Sequence, residues 1–166
     1  MGMEGRVAWG VVLRWRYAAM RDVETLTISN GLNAIIAFLF IPAMIVAAPG
    51  WDVAGGHLLA GVIAFVVSVL LFMLGVFGGG DAKMIPGVML WLGPEAAWPF
   101  MTAMAVIGGA LALCVILARR FVPAQAAPGF ARETMTAGNG VPYGVAIAGG
   151  AILASGQSPL LSILNI

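Results

Sequence analysis

Four long apolar stretches, separated by short turn-rich or charged segments, set the plan of this chain. From Gly31 to Ala48, "GLNAIIAFLFIPAMIVAA" carries no charge. At 1.5 Å per residue, it is about long enough to cross a hydrocarbon core of roughly 30 Å. "PGWDVAGG" follows as a turn-rich loop, with Trp51 suited to the membrane interface and Asp52 exposed. The uncharged run from His57 to Phe77, "HLLAGVIAFVVSVLLFMLGVF", is the strongest spanning segment. After "GGGDAK", the segment "MIPGVMLWLGP" is apolar but short, and its proline and glycine predict a short, broken or tilted helix. "EAAWPFMTAMAVIGGALALCVILA" then crosses and stops at Arg119 and Arg120. Residues 121–140, with two prolines and many small side chains, read as an extramembrane loop.

The two ends are less regular. "GRVAWGVVLRWRYAAMRD" is apolar enough for a helix, yet Arg14 and Arg16 interrupt it, which makes it a weak spanning segment unless it tilts, snorkels or packs them inward. The last segment opens with Pro142 at a plausible first helical turn and carries Gly144, Gly149, Gly150 and Gly156. Small residues at such spacing let helix backbones approach closely in lipid. The expected architecture is an all-α, polytopic membrane bundle of about six transmembrane helices, forming one domain over residues 1–166.

Composition agrees with this pattern and removes several function classes. Of the 166 residues, 61% are hydrophobic and only 9% charged, and the mean hydropathy is +1.03. A net charge of +1 without clustered Lys and Arg gives no basis for nucleic-acid binding. One cysteine, Cys114, and one histidine, His57, cannot supply a disulfide framework or a His/Cys metal site within the chain. No metal and no cofactor is therefore expected. Cys114 reads as a small packing residue and His57 as a helix-start residue at the interface. No segment has the form of a removable signal peptide.

The few charges orient the bundle. The loops containing Arg21, Lys83 and Arg119–Arg120 with Arg132 fall on one side, whereas the opposite loops hold Asp52 and Glu95 but no Lys or Arg. The positive-inside rule makes the first side cytoplasmic. Asp22, Glu24, Asp81 and Glu133 then share the cytoplasmic side, with Asp22 and Asp81 each at a helix end beside the membrane.

A carboxylate at such a position is buried by neighbouring helices while staying within reach of water. Two of them brought close cannot both ionise easily and tend to share a proton. That is the working state of an aspartic protease: one carboxylate takes a proton from the attacking water while its protonated partner polarises the peptide carbonyl. Gly78, Gly79 and Gly80 lack Cβ atoms, can adopt positive φ and let an extended peptide lie close. Lys83 either favours the ionised form of Asp81 or pairs with the lipid surface. The bland alternative is a flexible Gly-Gly-Gly-Asp turn with a solvated aspartate and lysine.

These residues resemble those of the prepilin peptidase family of membrane aspartic proteases. "GGGDAK" is similar to that family's GxGD motif, with Gly78, Gly80 and Asp81 on the motif positions. "YAAMRDVETLTISNGLN" resembles the segment around the family's first catalytic aspartate, which reads aspartate, a threonine-rich stretch and Ile-Pro-Asn. Here Asp22 is followed by Ile28, Ser29 and Asn30, with serine in place of proline. "LWLGP" and "VPYGVAIAGGA" are typical of the short members that serve Flp/Tad-type pili, and the resemblance runs in order over roughly residues 17–160.

The resemblance implies Asp22 and Asp81 as the catalytic dyad, with the substrate lying against Gly78, Gly79, Gly80 and Lys83. The implied substrates are Flp-type prepilins and pseudopilins, cut after a short basic leader next to a glycine at the cytoplasmic face of the bacterial inner membrane. The additional domain with a cysteine zinc site found in larger relatives has no counterpart, so N-methyltransferase activity is not expected. A clean hydrophobic helix usually leads into the family's first aspartate, and Arg14 and Arg16 depart from that pattern. Two other readings compete. One is a non-catalytic membrane subunit whose aspartates serve an ion path or helix packing. The other is a presenilin-type protease, which shares GxGD but whose motif around the first aspartate is missing.

Overall fold

The computed structural model describes residues 13–17, 30–136 and 140–164, which are helical with short connections. Four longer helices make the frame: α1 (Asn30–Ala47), α2 (Trp51–Met73), α3 (Gly79–Leu92) and α4 (Ala97–Phe121). A single helical turn, α5 (Arg132–Met135), lies in the segment after α4, followed by α6 (Tyr143–Ala154) and the short α7 (Pro159–Ile163). The chain is all-α. Residues 13–17 are helical as well, and Trp15 in their midst is fully buried in the core. Asp22 and the rest of the segment leading to it lie outside the described residues.

Among the described residues, three helices, α1, α2 and α4, are long and apolar enough to cross a membrane. Only about a fifth of each span is buried within the bundle, and the exposed surface includes Phe38, Ile45, Leu59, Val62, Phe65, Val106 and Ile116. In water such a surface would not be tolerated, whereas in lipid it is the ordinary exterior. Two other segments counted among the six expected spans are shorter. Helix α3 has 14 residues and so rises only about 21 Å. The last segment is split by a 3₁₀ turn at Ser155–Gln157 into α6 and α7.

The short helix α3 is nevertheless the centre of the molecule. It packs against α1, α2, α6 and α7, and seven of its side chains, from Ala82 to Leu92, are buried. Trp91, Leu92, Ile36, Phe100 and Ile147 form the middle of a single core. Helix α6 packs chiefly on α4. There a Cβ on Gly150 would stand 3.0 Å from the Met104 nitrogen, so the glycine permits backbone-to-backbone contact. Gly149 has a similar place against Ile107, but Gly156 has nothing within 4 Å and is not a packing glycine.

Several local expectations change. Residues 51–56 are not a loop but the first turns of α2, because Asp52 at a helix N-terminus is favoured and glycine near the end costs little. Trp51 stays almost fully exposed. The reversal before α2 occurs instead at Ala48, a non-glycine residue with φ of 41°, and Pro49. Cys114 is exposed on the outer face of α4 instead of packed inside. His57 is also displaced from its expected interfacial setting, being fully buried against α3 and α1.

The burial of His57 follows from the end of α3. Pro94 has no N–H with which to satisfy the Leu90 carbonyl four residues before it. His57 Nδ1–H donates to that carbonyl at 3.0 Å. The next carbonyl, Trp91, accepts from the Ser158 hydroxyl at 2.8 Å, and the Trp91 indole N–H donates to the Ile36 carbonyl at 2.8 Å. Gly93 closes the helix with φ of 75°, and a Cβ there would lie 2.7 Å from the His57 ring. This end of α3 is thus sealed and bonded to three other elements.

Candidate active site

Asp81 stands at the opposite end of α3. Gly78 is the N-cap, with φ −68° and ψ 152°, and its carbonyl accepts the first helical hydrogen bond from Ala82 at 3.0 Å. Gly79 and Gly80 are the first two helical residues and Asp81 the third. The expected glycine loop is therefore one turn shorter: the motif begins the helix, and Gly78 is extended with negative φ. An acidic residue at the third helical position stands where it interacts with the unpaired N–H groups of the first turn and with the positive end of the helix dipole.

Gly78 has a separate physical reason. A Cβ at that position would meet Asp81 Oδ2 at 3.1 Å, so any side chain would press directly on the carboxylate. Gly79 is less constrained, its hypothetical Cβ making an ordinary 3.5 Å contact with the Phe72 ring. Asp81 itself is half-buried.

The carboxylate opens onto a cavity of about 560 Å³ lined by Val76 to Asp81, Ala112 of α4, and Gly140, Val141 and Tyr143 at the start of α6. That volume suits a bound ligand or a few residues of a peptide. A second groove, of about 340 Å³, runs between α2, α3 and α4 and reaches the cavity at Phe77. Ser68 is the one polar side chain among its lining residues, so it offers shape but no chemistry.

Lys83 points away from the cavity lining. Its ammonium donates to the Asn30 side-chain oxygen at 3.0 Å, on the exposed surface. The contact joins the Asp81 turn to the first residue of α1, which follows Asp22 by eight positions. Of the residues singled out from sequence, Gly78, Gly79, Gly80 and Asp81 come together at one cavity, Lys83 instead bonds Asn30 at the exposed surface, and Asp22 falls outside the described residues. Among the described residues, no three His, Cys, Asp or Glu side chains gather in a way that could hold a metal ion.

Sequence reasoning did not single out Gly140, Val141, Tyr143 and Ala112 as cavity residues. Tyr143 lies against α4 where Gly108 leaves room: a Cβ on Gly108 would be 2.6 Å from the phenol. The pairing of an aromatic at a helix start with glycines in the preceding apolar run was the available signal.

A family model described as the type IV leader peptidase family matches residues 11–115. That interval is more than half of the chain and contains both Asp22 and Asp81. No curated protein and no solved structure matches. The chain belongs to the type IV leader peptidase family.

Proposed function

With that membership as premise, we propose that the protein is a membrane-embedded aspartic endopeptidase that removes the leader peptide of Flp/Tad-type prepilins and pseudopilins. Asp22 and Asp81 are its catalytic pair, working at the cytoplasmic face of a bacterial inner membrane. The observation that carries this reading is Asp81 itself, a half-buried carboxylate in the first turn of the central helix, opening onto a cavity edged by glycine backbone. The Lys83–Asn30 contact supports it further, because it ties the Asp81 turn to the start of the helix that Asp22 precedes.

The chemistry follows from two carboxyl groups holding one proton. The ionised group removes a proton from water, and the water oxygen bonds to the scissile carbonyl carbon. The protonated group donates a hydrogen bond to the carbonyl oxygen as negative charge develops there. Collapse of the tetrahedral intermediate breaks the C–N bond, and the proton taken from water passes to the leaving amine. One new carboxyl terminus and one new amino terminus result, with the carboxyl pair restored to one shared proton. The glycines admit the extended substrate backbone, and Phe77 marks where the polar cavity gives way to apolar surface.

Co-expression with an Flp-type prepilin tests the proposal. The wild type should yield a faster-migrating mature pilin, whereas Asp22→Asn and Asp81→Asn should each leave the precursor uncut. Processing by either variant would refute the dyad.

A further inference from the structure

Arg119 occupies the last turn of α4, where a basic side chain ordinarily interacts with the carbonyls of its own helix end. Here it reaches forward. Nε donates to the Thr134 carbonyl at 2.9 Å and Nη2 donates to the same oxygen, while Nη2 also donates to the Gly140 carbonyl at 2.9 Å. One guanidinium thereby holds two points of the connection between α4 and α6, 15 and 21 residues further along the chain.

The second of those points is part of the candidate active site. Gly140, Val141 and Tyr143 line the Asp81 cavity, together with Ala112 of α4. Ala112 and Arg119 are seven residues apart and share a helix face, with buried Val115 between them. Further along the same face, Gly108 accommodates the Tyr143 ring. The wall 140–143 is thus attached to α4 at two places, by Arg119 at its first residue and by the Tyr143–Gly108 contact at its last.

We infer that Arg119 is a positioning residue for substrate: its guanidinium holds the Gly140–Tyr143 wall of the cavity in place so that an extended peptide is gripped beside Asp81. The inference rests on the peptidase reading. Arg119 does not line the cavity, so it acts through the wall and not on the reacting atoms. Such a wall binds substrate and transition state alike, so its loss raises KM while leaving kcat nearly unchanged.

Arg119→Gln should raise KM for an Flp-type prepilin by about tenfold, with kcat within about threefold, because charged hydrogen bonds to two carbonyls are lost. Arg119→Lys, which delivers one point charge in place of a fork, should fall between the two. Arg120→Gln removes the same charge from the exposed neighbour and should leave KM within about twofold of wild type. Hydrogen exchange on the purified protein gives a readout independent of cleavage. In Arg119→Gln, the Val145 amide, which donates to the Pro142 carbonyl of the wall, should exchange at least about tenfold faster while the amides of α3 keep their rates.

Unchanged KM in Arg119→Gln, an equal rise in Arg120→Gln, or unchanged exchange at Val145 would each overturn the assignment. Cleavage by Asp81→Asn would instead overturn the peptidase reading and leave the exchange result to judge the clamp.

Discussion

The two ends of α3 are built from the same fourteen-residue helix and are opposites. At its C-terminal end, Leu90 and Trp91 place their carbonyls on His57 and Ser158, the Trp91 indole is bonded to α1, and Gly93 is pressed against an imidazole. Every one of these groups is fully or nearly fully buried except Leu90. At its N-terminal end the helix starts with glycines, Asp81 opens onto a cavity, and the nearby lysine bond is exposed. One end is spent on holding the bundle together. The other keeps a carboxylate beside open volume, and a helix anchored this firmly at one end can hold that carboxylate in a fixed place at the other.

Perturbations should separate along the same line. The largest expected effect is on cleavage: Asp81→Asn should lower the rate of prepilin processing at least about a thousandfold with little change in thermal unfolding. At the sealed end, Gly93→Ala combines a left-handed backbone with a Cβ 2.7 Å from His57. It should cost about 2–4 kcal/mol of stability, read as a lowered unfolding midpoint in detergent. Ser158→Ala removes both the cap of α7 and the donor to the Trp91 carbonyl, for about 2 kcal/mol, while cleavage at permissive temperature persists. The smallest effect sharpens the boundary from the open end: Gly78→Ala places a methyl 3.1 Å from Asp81 Oδ2. It should slow cleavage about tenfold with little loss of stability.

The contrast also explains what could be read from the sequence. The three long helices were visible because uncharged runs of 18 residues or more have few other fates. Asp81 was visible because an aspartate after three glycines at the end of an apolar run is chemically conspicuous. His57 was not, because its partner is a carbonyl 33 residues away that is orphaned by the missing N–H of Pro94. Cys114 was misjudged for a reason peculiar to membranes: lipid is as apolar as a protein core, so hydrophobicity does not tell the inner face of α4 from the outer. The start of α2 was hidden by Asp52 and two glycines that read as a turn, yet a helix N-terminus tolerates all three. Arg119 read as a charge that ends a span and sets orientation, and no spacing rule connects it to carbonyls at 134 and 140.

The central claim is that Asp81 does not act alone but shares its proton with Asp22. A double-mutant cycle on leader cleavage measures that partnership: Asp22→Asn, Asp81→Asn and the double variant, each confirmed folded by its unfolding midpoint, are assayed against one Flp-type prepilin. If the two carboxyls act as a unit, each single variant loses nearly all activity and the double variant is no worse than either. Substantial cleavage by Asp22→Asn, or losses that multiply in the double variant, would contradict the account.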